Sequence, residues 1–171
     1  MSELVIVLFL LIPIFVVISI LNRSQKKHRR KEQEELAGYI NPVIKEAGLA
    51  PTYQKRLAQQ YIAIDEAKRT LLLVNWKETG FAHELHRLDD IKTLSVQTIR
   101  QNVLAEAKAK PEIVTSEIGV EFTLQKTEEK RFLTVYSHLK HNISQIADFT
   151  TEATQLCDKL KKLKAAKPLN V

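Results

Sequence analysis

From Leu4 to Leu21 the chain carries no charge for eighteen residues, and sixteen of these are Leu, Ile, Val or Phe. At a rise of about 1.5 Å per residue such a helix covers about 27 Å, enough for a thin hydrocarbon core. Its insertion sums to roughly −5 to −10 kcal/mol as an upper bound. Pro13 removes one helical hydrogen bond, which membrane helices tolerate. A cleaved secretory signal needs a basic leading flank and a small-residue cleavage site. Met1-Ser2-Glu3 and the residues after Leu21 supply neither. Residues 1–22 are therefore read as a retained transmembrane anchor.

Directly after it come Arg23, Lys26, Lys27, Arg29, Arg30 and Lys31. These six charges equal the net charge of +6, because the remaining 20 Lys+Arg balance 20 Asp+Glu. The rest of the chain has no net basic charge to spend on phosphate backbones, so a nucleic-acid partner is excluded despite the high pI. Basic residues flanking a span stay on the cytoplasmic side. The N-terminus is thus expected outside and the C-terminal part in the cytoplasm. The same six side chains are the candidate contacts for anionic headgroups, and residues 4–31 the candidate lipid-binding stretch.

Residues 23–60 read as a basic juxtamembrane segment and helical linker. Leu36, Tyr39, Ile40, Val43, Ile44 and Ala47 recur at helical steps. Asn41-Pro42 reads as an interruption with Asn41 as N-cap, and Gly48 as the stop. Tyr53 to Gln60 reads as another short helix.

From Tyr61 the period changes to two. Tyr61–Asp65 and Thr70–Trp76 flank a polar turn as a hairpin, and Phe81–Leu88 alternates after Gly80. Ile91–Val103 is a strand in which Ile99 and Val103 fall out of phase with Leu94 and Val96, the mark of a bulge. Leu104–Pro111 reads as a loop. Ile118, Val120, Phe122 and Leu124 alternate with Gly119, Glu121, Thr123 and Gln125, and Arg131–Tyr136 returns after a turn. Ile143, Ile146, Phe149, Ala153, Leu156, Cys157, Leu160 and Leu163 form one stripe of a closing helix. The expectation is an α+β domain of six antiparallel strands and one helix over residues 61–165, followed by a tail at 166–171.

Three segments in this order carry a resemblance: Tyr-Ile-Ala-Ile-Asp with its hairpin from Tyr61, Leu-Asp-Asp-Ile-Lys-Thr-Leu-Ser-Val from Leu88, and Ile-Gly-Val-Glu-Phe-Thr-Leu from Ile118. Together they resemble bacterial pleckstrin-homology-like domains over residues 61–165. The resemblance implies a bent antiparallel barrel plugged by the last helix, and a binding or scaffolding module, not an enzyme. It also implies a bacterial inner (plasma) membrane for the anchor. Lipid-headgroup-binding members cluster basic residues on the first hairpin turn. Here only Lys68 and Arg69 stand there, beside Asp65 and Glu66.

Catalytic patterns are absent from the sequence. Four glycines cannot build a phosphate-cradling loop. His83-Glu84-Leu85-His86 has its histidines three apart in a strand, which sends them to opposite faces. His138 and His141 repeat that spacing near the last helix, so a zinc site from both pairs is the metalloenzyme alternative. Cys157 falls on the apolar stripe as a small core residue, and Asp89-Asp90 suits a turn. No catalytic residue, metal ligand or cofactor is assigned. The expected function is a single-pass, membrane-anchored cytoplasmic binding or scaffold protein, an accessory subunit with a membrane-associated protein partner. The alternative is a peripheral sensor of anionic lipid.

Overall fold

The computed structural model describes residues 23, 27, 30–77, 80–103 and 112–166. The chain divides into two compact units, Met1–Ala47 and Gly48–Val171. Leu4–Leu21 lies outside the described residues, as do Lys26, Arg29 and the expected loop Leu104–Pro111. Among the described residues no helix is long and apolar enough to cross a membrane.

In the first unit, helix α1 covers residues 30–46. It runs through Asn41-Pro42 without interruption, which corrects the expected break. One proline costs the ladder one N–H donor, and the apolar stripe on both sides of it outweighs that loss. Leu36, Ile40 and Val43 of this stripe are buried. Gly48 does end the helical segment, at φ +59°, the left-handed conformation usual after a helix end.

The second unit is α+β, with two antiparallel sheets and a C-terminal helix. Strands β1 (Tyr53–Arg56), β2 (Gln60–Asp65), β3 (Thr70–Lys77) and β4 (Gly80–Arg87) form a four-stranded meander. A 3-10 turn, Leu88–Asp90, leads into β5 (Ile91–Val103), β6 (Glu112–Leu124) and β7 (Lys130–Ser137), a three-stranded meander. A 3-10 turn at Ile143–Gln145 then opens α2 (Ile146–Ala165). Among the described residues seven strands therefore replace the expected six. β1 is the addition: Tyr53–Arg56 is strand where a helix was expected, pairing Tyr53 with Ile64 and Arg56 with Tyr61. Its alternating half-buried and exposed residues fit an edge strand docked on one side.

The expected closed barrel is also corrected. No ladder among the described residues joins the two sheets. Side chains bridge them instead: Arg131 Nε of β7 donates to Glu84 Oε2 of β4 at 2.9 Å, and beside β7 the Gln60 carboxamide acts as a short strand. Its Nε2 donates to the Phe132 carbonyl at 2.9 Å, and its Oε1 accepts from the Thr134 N–H at 3.1 Å. Ala58 N–H donates to the Thr134 carbonyl at 3.2 Å. The outer edge of β7 is thereby satisfied without a full strand partner.

One core joins all three layers. Ile62, Ile64, Leu71 and Leu73 of the first sheet meet Ile118, Val120, Phe122 and Leu133 of the second, and Ala153, Leu156, Cys157 and Leu160 of α2. Two register shifts interrupt the β5–β6 ladder: at the first Lys92 is the extra residue in β5, and at the second, at Ile99/Arg100 where a bulge was expected in β5, the extra residue is Ser116 of β6. A further shift beside Gly119 lets both Val135 and Tyr136 turn inward. Gly119 is required there by close approach, since a Cβ would stand 2.1 Å from the Leu133 carbonyl oxygen. Cys157 is buried as expected, whereas Phe149 is half-buried and Ile143 is exposed. Ile143 falls outside the helix proper, in the 3-10 turn, so its direction no longer follows the stripe.

Two substitutions test this core by urea unfolding. Phe122→Ala should cost about 3–5 kcal/mol, and Phe149→Ala clearly less because its ring is half exposed. Tyr136 is fully buried, and among the described residues its hydroxyl has no hydrogen-bond partner. An unsatisfied buried hydroxyl costs roughly 1–3 kcal/mol, so Tyr136→Phe should raise stability.

Candidate docking groove beside the last helix

Helix α2 packs on β5, β6, β7 and the turn Leu88–Asp90. Its N-terminal half is fastened to β1 by Lys55–Glu152 at 3.0 Å, and Lys159 Nζ lies 4.3 Å from the Tyr53 ring centre. Its C-terminal end is held by Arg69. That side chain leaves the β2–β3 turn from a backbone at φ +53° and is 8 % exposed. Its guanidinium donates to the Leu163 carbonyl at 2.8 Å, the Lys164 carbonyl at 2.8 Å and the Ala166 carbonyl. Two further N–H groups reach Asp89 Oδ1 at 2.7 and 3.1 Å. Helix-end carbonyls lack intrahelical donors, and here one planar cation supplies several.

Fixing that end creates a groove of about 290 Å³ between the start of β5 and α2, lined by Leu94, Lys161, Lys164 and Ala165. Leu94 packs on the core and gives an apolar floor. The walls are lysine stems, and Lys164 Nζ donates to the Lys92 carbonyl at 2.8 Å. Lys92 is the extra residue at the first register shift of β5. β5, 13 residues in all, is an edge strand laddered among the described residues to β6 alone. Its outer side offers main-chain donors and acceptors next to a groove that is apolar below and basic above. The chemistry suits an extended, acidic segment.

The residues singled out in the sequence fall as follows. Arg23, Lys27, Arg30 and Lys31 are helical and exposed, with Lys31 3.8 Å from Glu35. Arg23, Lys27 and Arg30 are spaced four and three apart, which is the spacing of one helical face. The four histidines do not come together. His83 is exposed on β4, whereas His86 lies half-buried against the Phe122 ring at 5.4 Å and contacts Glu84 at 3.1 Å. His138 Nδ1 is 3.3 Å from the Ser116 carbonyl, and His141 Nδ1 accepts from the Ser137 N–H at 3.2 Å. Among the described residues no three His, Cys, Asp or Glu side chains converge as a metal site. Burial lowers the His141 pKa, which favours the neutral ring that can accept that bond. Asp89 and Asp90 occupy the 3-10 turn.

The Arg69 clamp was not visible as a site in the sequence. Its signal there is an arginine in a hairpin turn, which surface charge explains equally well. Comparison with protein families, curated proteins and solved structures finds no match.

The clamp has a pH signature. The hydrogen bond from Arg69 holds the Asp89 carboxyl below its ordinary value of 3.8, with burial opposing and the charges of Arg69 and Arg87 reinforcing. The folded state thus keeps Asp89 ionised to lower pH than the unfolded chain does. Its contribution is complete above 3.8 and is lost as pH falls through the lowered value. The carboxylate is half exposed, so screening keeps the effect small. Melting temperatures taken at low salt from about pH 5 down to 3 should fall less in Asp89→Asn than in the unmodified chain.

Proposed function

We propose that this is a single-pass, membrane-anchored binding protein, an accessory or scaffold subunit that holds an extended acidic segment of a membrane-associated protein. The observation that carries the reading is the open edge of β5 beside the Leu94, Lys161, Lys164 and Ala165 groove. The opposite edge of the same sheet, β7, is capped by Gln60 and Ala58, so the two edges are not equivalent. An edge left open next to an apolar floor is where an added strand gains both main-chain hydrogen bonds and side-chain burial.

The order of four strands, three strands and a closing helix supports the pleckstrin-homology-like reading, with the sheets as a split sandwich in place of a closed barrel. The apolar run Leu4–Leu21 and the basic residues from Arg23 to Lys31 support an inner-membrane anchor with the N-terminus outside and the second unit in the cytoplasm. Tethering raises the local concentration of a membrane-bound partner, so a shallow groove is sufficient. Peripheral sensing of anionic lipid is the second reading. It draws on the exposed helical face of Arg23, Lys27 and Arg30.

A photoreactive amino acid at Thr93 or Gln97 on the β5 edge, in cells, should give a discrete crosslinked species from the membrane fraction. The same residue at Glu129, in the β6–β7 turn, should give none. Lys161→Glu with Lys164→Glu should reduce that product several-fold, more at low salt than at high salt. Equal crosslinking from all three positions, or an unchanged product in the charge-reversed variant, rejects the groove.

A further inference from the structure

The connection between β7 and α2 presents Leu139 and Ile143, 77 % and 63 % exposed, the two most exposed large apolar side chains among the described residues. Single exposed leucines need no explanation, but two on one short connection do. This connection is also braced. Lys140 N–H and His141 N–H both donate to the Ser137 carbonyl at 3.0 Å. Asn142 and Gln145 form a reciprocal capping box at the start of the 3-10 turn. The His141 ring packs 4.3 Å from Phe149 and 5.7 Å from Tyr136. The backbone is tied down from within while Leu139 and Ile143 face outward, so little ordering is needed when a second surface covers them.

Charge indicates which surface. From Lys130 to Ala147 the sequence holds no Asp or Glu, and Lys140 stands between the two apolar residues. On neighbouring elements Glu152 is paired with Lys55 at 3.0 Å, while Glu117 lies opposite Ser137 in the ladder and Asp148 sits in the first turn of α2. An apolar pair with a lysine between them matches a bilayer boundary: acyl chains take the apolar ends and the lysine reaches a phosphate.

We infer that Leu139 and Ile143 insert into the acyl boundary of a lipid bilayer, with Lys140 at the headgroup phosphates. The inference rests on the anchored reading and adds to it a second bilayer contact, at the opposite end of α2 from the β5 groove. Two side chains alone give marginal, reversible binding, so this contact orients an already tethered domain.

The test uses the full chain in vesicles of equal parts phosphatidylglycerol and phosphatidylethanolamine with brominated acyl chains. Trp76 is the only tryptophan. In a Trp76→Phe background, Leu139→Trp and Ile143→Trp should emit at shorter wavelength and lose emission to bromine, whereas Thr98→Trp on β5 should do neither. Emission from both loop probes that matches the Thr98 probe overturns the proposal. A blue shift without bromine quenching also overturns it, and assigns the loop to a contact with protein, a second copy of the chain in these vesicles. Release of the chain from the vesicles by carbonate overturns the anchored reading itself, and the loop contact with it.

Discussion

Arg69 joins three pieces of chain that are far apart in sequence. From the β2–β3 turn its guanidinium reaches Asp89 in the turn between the sheets and three carbonyls at the end of α2. Each of these groups would otherwise be costly. A buried guanidinium needs all its donors used, and helix-end carbonyls need donors from outside the helix. The arrangement satisfies both with one residue, and so sets where the last turn of α2 lies. The groove beside β5 follows from that position, because Lys161, Lys164 and Ala165 belong to the same final turns. A lysine could not replace this arginine, since it lacks the planar fork that reaches carboxylate and carbonyls at once.

The two sheets share a core without sharing a ladder, which leaves edges to be managed. At β7 a side-chain amide stands in for a strand. At β1 the strand is four residues long and mostly polar. β5 is different: it is long, its ladder to β6 carries two register shifts, and near its start the Lys164 ammonium donates to the Lys92 carbonyl while the Lys92 side chain pairs with Glu128. Bulges and lysines are the usual defences against unwanted pairing. They discourage pairing with a copy of the same edge, where like charges would meet, and leave an acidic strand acceptable.

What was legible in the sequence was whatever a period or an apolar run could reveal. β6 alternates and α2 carries a stripe, whereas β2, β3 and β7 bury consecutive residues and stand out as apolar runs between turn signals. The ladder does shift at Ile99/Arg100, but the extra residue there is Ser116 of β6. Tyr53 and Leu57, four apart after Pro51, read as one side of a short helix, whereas the strand character of Tyr53–Arg56 comes from pairing with β2. The break at Asn41-Pro42 was misread because local signals for a helix start were weighed without the stripe that spans them. Closure of the barrel was not legible at all. Whether two sheets join depends on edge partners such as Gln60, whose carboxamide bonds 72 and 74 residues along the chain. Of the candidate site, the apolar phase of Leu94 and the lysine-rich helix end were visible separately. Their meeting required Arg69, a residue that looked like ordinary turn charge.

A shallow groove and a pair of apolar side chains would be weak sites on a freely diffusing protein. On the anchored reading they need not be strong. Confinement to a membrane turns encounter with a membrane-bound partner into a local event, and the effective concentration replaces contact area. Orientation then becomes the limiting quantity, because a tether alone lets a domain present any face. On that reading the proposed contacts at Leu139 and Ile143 act on orientation, and those at Lys161 and Lys164 on recognition. The two sets lie at opposite ends of the 20-residue helix α2, which spans about 30 Å. A domain seated on the bilayer at one end of that helix holds its groove clear of the headgroups at the other, where an acidic segment can reach the lysines without competing phosphate.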